Sequence, residues 1–208
     1  MSYTAIVDYG VGNLFSIASS LRYLETESIV TNDADVLSGA SHIILPGVGA
    51  FGDAMEKLKS TGLVPVLTEL VKEGKPIMGI CLGMQMLFEK SFEYGEHEGL
   101  GWIKGTVRPI EEAFKAKELD LKIPHMGWNS LTFAKTDCPV LKYIAEGDFV
   151  YFVHSYYAAD CDDSLAAWAD YGVKIPAVVS HGNIYGCQFH PEKSGNIGLS
   201  ILKAFSEI

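Results

Sequence analysis

The sequence predicts an α/β protein: a doubly wound, mixed but mainly parallel sheet flanked by helices, with a more antiparallel C-terminal half. Three observations predict it. Short β-branched runs alternate with helical periodicity through the first half, the mark of parallel strands joined by crossover helices. From about Gly99 the style changes to short strands separated by turn residues, which pair with near neighbours in antiparallel fashion. The chain has 208 residues, 48% of them apolar, enough to bury a sizeable core in one domain over residues 1–208. It carries no internal repeat, no low-complexity segment and no linker long enough to divide it.

Taken in order, residues 3–8 read as a strand, and Leu14, Ile17, Ala18, Leu21 and Leu24 then recur at helical spacing. Strands follow at Ser28–Thr31 and His42–Leu45, a helical stretch at 58–71, and a strand at 76–80. Residues 84–88 look like the start of a helix. In the second half, strands are expected at 101–110, 123–133, 149–157, 177–181 and 184–189. Gly182-Asn183 between two apolar runs marks a hairpin, since both residue types tolerate positive φ. A last helix over 197–205 has Leu199, Leu202 and Phe205 three apart.

Composition excludes some functions. A formal charge of −10 repels phosphates rather than releasing counterions from them, so no nucleic-acid partner is expected. The longest apolar tract, 76–88, is interrupted by glycines and Gln85, and nothing in the chain reads as a membrane or signal segment. Cys81, Cys138, Cys161 and Cys187 include no C-x-x-C pair, which suits reduced thiols in the cytoplasm.

The sharpest local signal is Gly79-Ile80-Cys81-Leu82-Gly83, where a strand pattern ends in G-x-C-x-G and a helical pattern begins at once. This is the arrangement of a nucleophile elbow, with sulfur in place of a hydroxyl. Flanking glycines leave room for the sharp turn, and a helix N-terminus favours the thiolate. The plainer reading makes Cys81 one more small buried residue. A thiolate nucleophile needs a proton shuttle, and His190 in Phe189-His190-Pro191-Glu192 has an acid two residues away. Strand-like alternation would point both side chains the same way, letting Glu192 orient the imidazole. His125, His154 and His181 are rivals without such an acid. Cys81, His190 and Glu192 are also zinc-ligand types, but the tightly spaced ligand pair of a metal site is missing. No metal or cofactor is expected.

Gly47, Gly49 and Gly52 follow a strand at G-x-G-x-x-G spacing. A dinucleotide-binding unit would put an acid at the end of the next strand, roughly twenty residues on, yet 69–73 reads as helix. Gly10-Val11-Gly12 fails because Phe15 stands at the third glycine position.

Together, the strings GICLGMQ (79–85), FHPE (189–192), PGVGAFG (46–52), PHMGWN (124–129) and YFVHSY (151–156) resemble the class I, triad-type glutamine amidotransferases. Within them they resemble the glutaminase subunits of imidazole glycerol phosphate synthases, over nearly the whole chain. The resemblance implies that Cys81 attacks the side-chain amide of glutamine, that His190 protonates the leaving ammonia, and that water releases glutamate from a thioester. It implies an oxyanion site from the Leu82 backbone N–H and the Gly47-Val48-Gly49 loop. Gly83, Gln85, Ser155 and Tyr156 are then neighbours of the substrate. It also implies a cyclase subunit as partner, receiving the ammonia, with Trp128, Tyr151, His154 and Lys193 on the partner side of the triad; a core role for Trp128 is the alternative. A stand-alone γ-glutamyl hydrolase or peptidase of the same fold is the competing function. A catalytically silent regulatory subunit would have lost the nucleophile or the histidine, and this chain retains both.

Overall fold

The computed structural model describes residues 2–208. Its first half runs β1 (Thr4–Val7), α1 (Leu14–Tyr23), β2 (Ser28–Thr31), α2 (Ala34–Gly39), β3 (His42–Leu45), α3 (Phe51–Ser60), α4 (Leu63–Lys72), β4 (Ile77–Ile80) and α5 (Leu82–Met86). It continues with β5 (Phe88–Ser91), β6 (His97–Glu98), β7 (Ile103–Pro109), α6 (Ile110–Ala116), β8 (His125–Ser130), β9 (Thr132–Phe133), β10 (Phe149–His154) and β11 (Tyr156–Ala159). The chain closes with β12 (Leu165–Asp170), β13 (Lys174–His181), β14 (Ile184–Cys187) and α7 (Gly195–Ser206).

An eight-stranded sheet orders its strands β2-β1-β3-β4-β14-β13-β12-β9. The pairs from β2 to β14 are parallel and those from β14 to β9 antiparallel. The mixed sheet is therefore the expected one. Strand alternation sorts its side chains onto two cores: Ala5, Val7, Ile43 and Leu45 face α3 and α4, meeting Leu58 and Leu67. Ile6, Ile44, Met78 and Ile80 face α1 and α7, meeting Ile17, Leu21, Ile201 and Phe205. Each such fully buried aliphatic or aromatic side chain contributes about 1.5–3 kcal/mol of transfer free energy.

Several expectations need correction. The helical stretch at 58–71 is the end of α3 and most of α4, separated at Gly62, whose φ of 73° no helix continues through. Residues 84–88 do not open a long helix. α5 is a five-residue turn, and Phe88 already begins β5, which lies in a second, four-stranded sheet of order β11-β7-β5-β6. The strand over 101–110 gives way to α6, and that over 149–157 breaks at Ser155 into β10 and β11. α2 and β12 had no counterpart in the sequence reading. The Gly182-Asn183 hairpin joins β13 to β14, but only Gly182 takes positive φ. Asn183 instead donates its side-chain amide to Val71 O and Lys75 O, at 2.9 and 2.7 Å.

Candidate active site

Polar groups gather outside the carboxyl ends of β3, β4 and β14, where open α/β sheets bind their ligands. A pocket of ≈ 360 Å³ opens there. The loop after β3 supplies Val48 and Gly49, the elbow supplies Cys81, Leu82 and Gln85, and the turn after β14 supplies His190 and Lys193. The β10–β11 corner adds His154, Ser155 and Tyr156.

Cys81 sits between β4 and α5 with φ 54° and ψ −111°, a backbone region that L-residues rarely occupy and that costs of order 1–3 kcal/mol. Close packing imposes it. A Cβ on Gly83 would lie 1.9 Å from Leu45 O, and one on Gly47 would lie 2.5 Å from Gly83 N. The elbow and the loop after β3 are thus pressed together backbone against backbone, so Gly47 and Gly83 form the rear of the site rather than its lining. Because α5 is a single turn that starts right after Cys81, it brings the free N–H groups of a first turn to the elbow but no long macrodipole.

His190 and Glu192 meet differently from the expected strand alternation. β14 ends at Cys187, and Pro191–Lys193 form a 3-10 turn that folds the carboxylate back onto the ring. His190 Nδ1 donates to Glu192 Oε1 at 2.8 Å, with both side chains almost wholly buried. The His190 N–H donates to Tyr151 O, and Ser194 Oγ donates to His190 O, so the ring's position is set from both sides. Burial pushes its pKa down, but side-chain hydrogen bonds to Cys81 and Glu192 outweigh this and raise it to about 9. The arrangement favours an imidazolium beside the sulfur. Burial pushes the other three thiols up, Cys161 to about 12, so they stay protonated and poorly nucleophilic.

Gln85 is buried, not solvent-facing: its Nε2 donates to Tyr156 O and to Gln188 Oε1, both at 3.0 Å. His154 Nδ1 donates to the same Tyr156 O at 2.8 Å, leaving its Nε2 to accept from His125 Nδ1 at 3.0 Å. Burial drives His154 to about 3 and His125 to about 4, which makes them a neutral pair. His125 lies stacked between Phe152 and Tyr171.

The expected partner-side residues separate. Trp128 and Tyr151 face each other across the β8–β10 ribbon, in a T-shaped contact at 6.0 Å. Trp128 is 55% exposed, which rules out the core role. His154 turns to the inner face of that ribbon with Val150 and Phe152 and lines the pocket. Lys193 stays at the pocket mouth.

Sequence reasoning missed four residues here. Tyr9 donates to Pro46 O at 2.6 Å and so pins the start of the glycine loop. Glu93 lines the pocket, its Oε2 accepting from Phe51 N at 2.6 Å at the start of α3; burial raises its pKa. Tyr94 lies beside it in the pocket, and Gln188 packs behind Cys81. The acid two residues before Gly95 gave no periodic signal, whereas Gln188, a lone amide in an apolar run, was a visible anomaly.

A thiol at a strand-to-helix elbow, facing a carboxylate-oriented imidazole at the carboxyl edge of a mixed sheet, defines a class of amide-cleaving enzyme. The chain belongs to the class-I glutamine amidotransferase family, which it matches over residues 5–207. It is 50% identical over 208 residues to "Imidazole glycerol phosphate synthase subunit HisH" of Lactococcus lactis subsp. lactis (strain IL1403), covering 100% of this chain and 99% of that protein. The subunit of the same name from Caldanaerobacter subterraneus subsp. tengcongensis is 50% identical over 204 residues, or 98% and 97% of the two chains. Within the family, the chain therefore groups with the HisH subunits. The solved structure of PurLQS from Thermotoga maritima superposes with a TM-score of 0.75 at 21% identity, covering 99% of this chain and 98% of that one; at such identity the likeness is one of fold. Among the described residues no helix is long and apolar enough to cross a membrane.

Proposed function

We propose that this chain, one amidotransferase domain over residues 1–208, is the glutaminase subunit of an imidazole glycerol phosphate synthase in histidine biosynthesis. It hydrolyses glutamine to glutamate and ammonia and passes the ammonia to a cyclase subunit. That partner forms imidazole glycerol phosphate and the aminoimidazole carboxamide ribonucleotide. The observation that carries the reading is the full-length identity to HisH subunits. The contact of Cys81 with the His190–Glu192 pair supports it chemically.

In this reading the Cys81 thiolate attacks the amide carbon of glutamine, forming the C–S bond. Charge moves to the carbonyl oxygen, where N–H groups of Leu82 and of the Val48-Gly49 segment receive it; such donors typically contribute about 2.7–4 kcal/mol each. His190 gives its proton to the amide nitrogen as the C–N bond breaks, then takes one from the water that cleaves the thioester. Glu192 holds the ring and balances its charge. Across the pocket the Glu93 carboxylate and the Lys193 ammonium suit the α-ammonium and α-carboxylate of the amino acid. The outer face of the β8–β10 ribbon, with Met126, Trp128 and Tyr151, is the surface offered to the cyclase subunit. The cytoplasm, where a thiol nucleophile stays reduced, suits this chemistry.

The test is Cys81→Ala assayed with the cyclase subunit: glutamine-dependent synthesis is lost while synthesis from ammonium persists. Glutamine-dependent synthesis that survives the substitution overturns the reading.

A further inference from the structure

The geometry points to Gln188 as a hydrogen-bond donor to the Cys81 sulfur, held in that role by a one-way relay of amides running from the Tyr156 carbonyl. The inference rests on the reading of Cys81 as nucleophile and adds a residue to it.

A backbone carbonyl can only accept hydrogen bonds. Tyr156 O accepts from His154 Nδ1 and from Gln85 Nε2, so Gln85 must present its NH₂ end there; the flipped amide would set two oxygens face to face. The second hydrogen on that nitrogen goes to Gln188 Oε1 at 3.0 Å. Gln188 is thereby obliged to present oxygen to Gln85, and its own NH₂ is left for Cys81 Sγ, at 3.8 Å. No member of the relay can turn over without opposing donor to donor or acceptor to acceptor. Gln188 is completely buried, and its backbone N–H is fixed to Ala177 O at 2.9 Å, so water does not compete for the amide.

A donor aimed at sulfur stabilises the thiolate over the thiol. The titratable groups that act on Cys81 are His190, backed by Glu192, from the turn after β14, and Tyr9 from the loop after β1; the Cys187 thiol on β14 shares its core cluster, and burial keeps it protonated. His154, Glu93 and Lys193 lie across the pocket. His190 supplies a cation that departs with its proton during each turnover, whereas the Gln188 amide is a neutral donor that stays in place throughout. The consequence is specific. Without that donor the thiol titrates higher, and the thiolate, once formed, is more basic and more nucleophilic.

The experiment follows the reaction of Cys81 with 2,2′-dipyridyl disulfide as a function of pH, in the whole chain, with the site of reaction mapped by peptide analysis. Gln188→Met keeps the side chain's length and removes the donor. We expect its midpoint to rise by about one pH unit, a tenfold smaller thiolate fraction below both midpoints. The plateau rate at high pH should rise about threefold, as a Brønsted slope near 0.4–0.5 requires. A loosened core would speed reaction at every pH and leave the midpoint in place, and that outcome overturns the proposal. A second measurement needs no variant: the side-chain amide proton resonance of Gln188 in the unaltered chain should move with pH through the same midpoint as the disulfide reaction. A resonance that stays fixed through that midpoint also overturns it, and decides the matter should Gln188→Met not fold. Neither readout involves glutamine or the cyclase subunit, so failure of the relay is separable from failure of the glutaminase reading, which appears only in the turnover assay.

Discussion

At His190 burial and hydrogen bonding act in opposite directions, and the pKa of about 9 records that bonding to Cys81 and Glu192 wins. A group whose folded pKa lies above its unfolded value, about 6.5 for histidine, adds stability that is complete below that value. It is lost as pH rises through the folded pKa. Glu192→Gln should therefore lower stability by about 1–3 kcal/mol near pH 6, and the deficit should shrink as pH passes 9. Chemical denaturation across that range measures it; a deficit independent of pH would mean that the carboxylate acts by packing alone. In turnover, His190→Ala should cost about 10²–10⁴-fold, the usual worth of a general acid–base. Glu192→Gln should cost less, because the ring still carries the proton, and unchanged turnover would remove Glu192 from the mechanism. Cys81, His190 and Glu192 were legible as residues because glycine flanks and an acid two positions away are local patterns. Their means of contact was not: a 3-10 turn led by Pro191, rather than strand pleat, closes the pair.

Among the elements, the loop after β3 and the turn of α5 act as one unit, since Gly47 and Gly83 leave no space between their backbones. Gly83→Ala, which sets a Cβ against Leu45 O, should destabilise the fold by about 1–3 kcal/mol or more, read from the thermal midpoint. Gly49 is different. Its φ is 93°, but a Cβ there would meet nothing within 4 Å. Gly49→Ala should fold with a smaller loss and alter activity instead, because freedom to reorient the Val48 and Gly49 peptide units resides at this end of the loop. Equal stability losses in the two variants would show that the loop is not anchored at Gly47. β2 and β3 were readable to the residue because β-branched runs bounded by breakers leave little choice. α5 and β5 were not, since a continuous apolar run does not distinguish a buried turn from a buried strand.

For the whole molecule, the ribbon of β8 and β10 presents Met126, Trp128 and Phe149, each more than half exposed. Its other face carries Phe152 into the core and His154 to the pocket. A partner covering the outer face therefore presses on the strand that leads directly to Ser155 and Tyr156. Glutamate release by the chain alone, by the complex, and by the complex with the cyclase subunit's ribonucleotide should rise in that order. Coupling of ordinary size, about 1–3 kcal/mol, gives about 5–150-fold activation; three equal rates would favour the stand-alone hydrolase. Trp128→Ala should weaken the complex tenfold or more, as loss of an aromatic anchor does at about 2 kcal/mol. The pairing of β4 with β14 bears on how the chain is made. Cys81 and Gln188 stand 107 positions apart, so during synthesis the thiol leaves the ribosome long before the histidine that activates it. Contacts of such sequence separation form late in folding. On the proposed mechanism a growing or half-folded chain thus carries an unarmed cysteine, and ammonia production begins only once the last strand has slotted into the middle of the sheet.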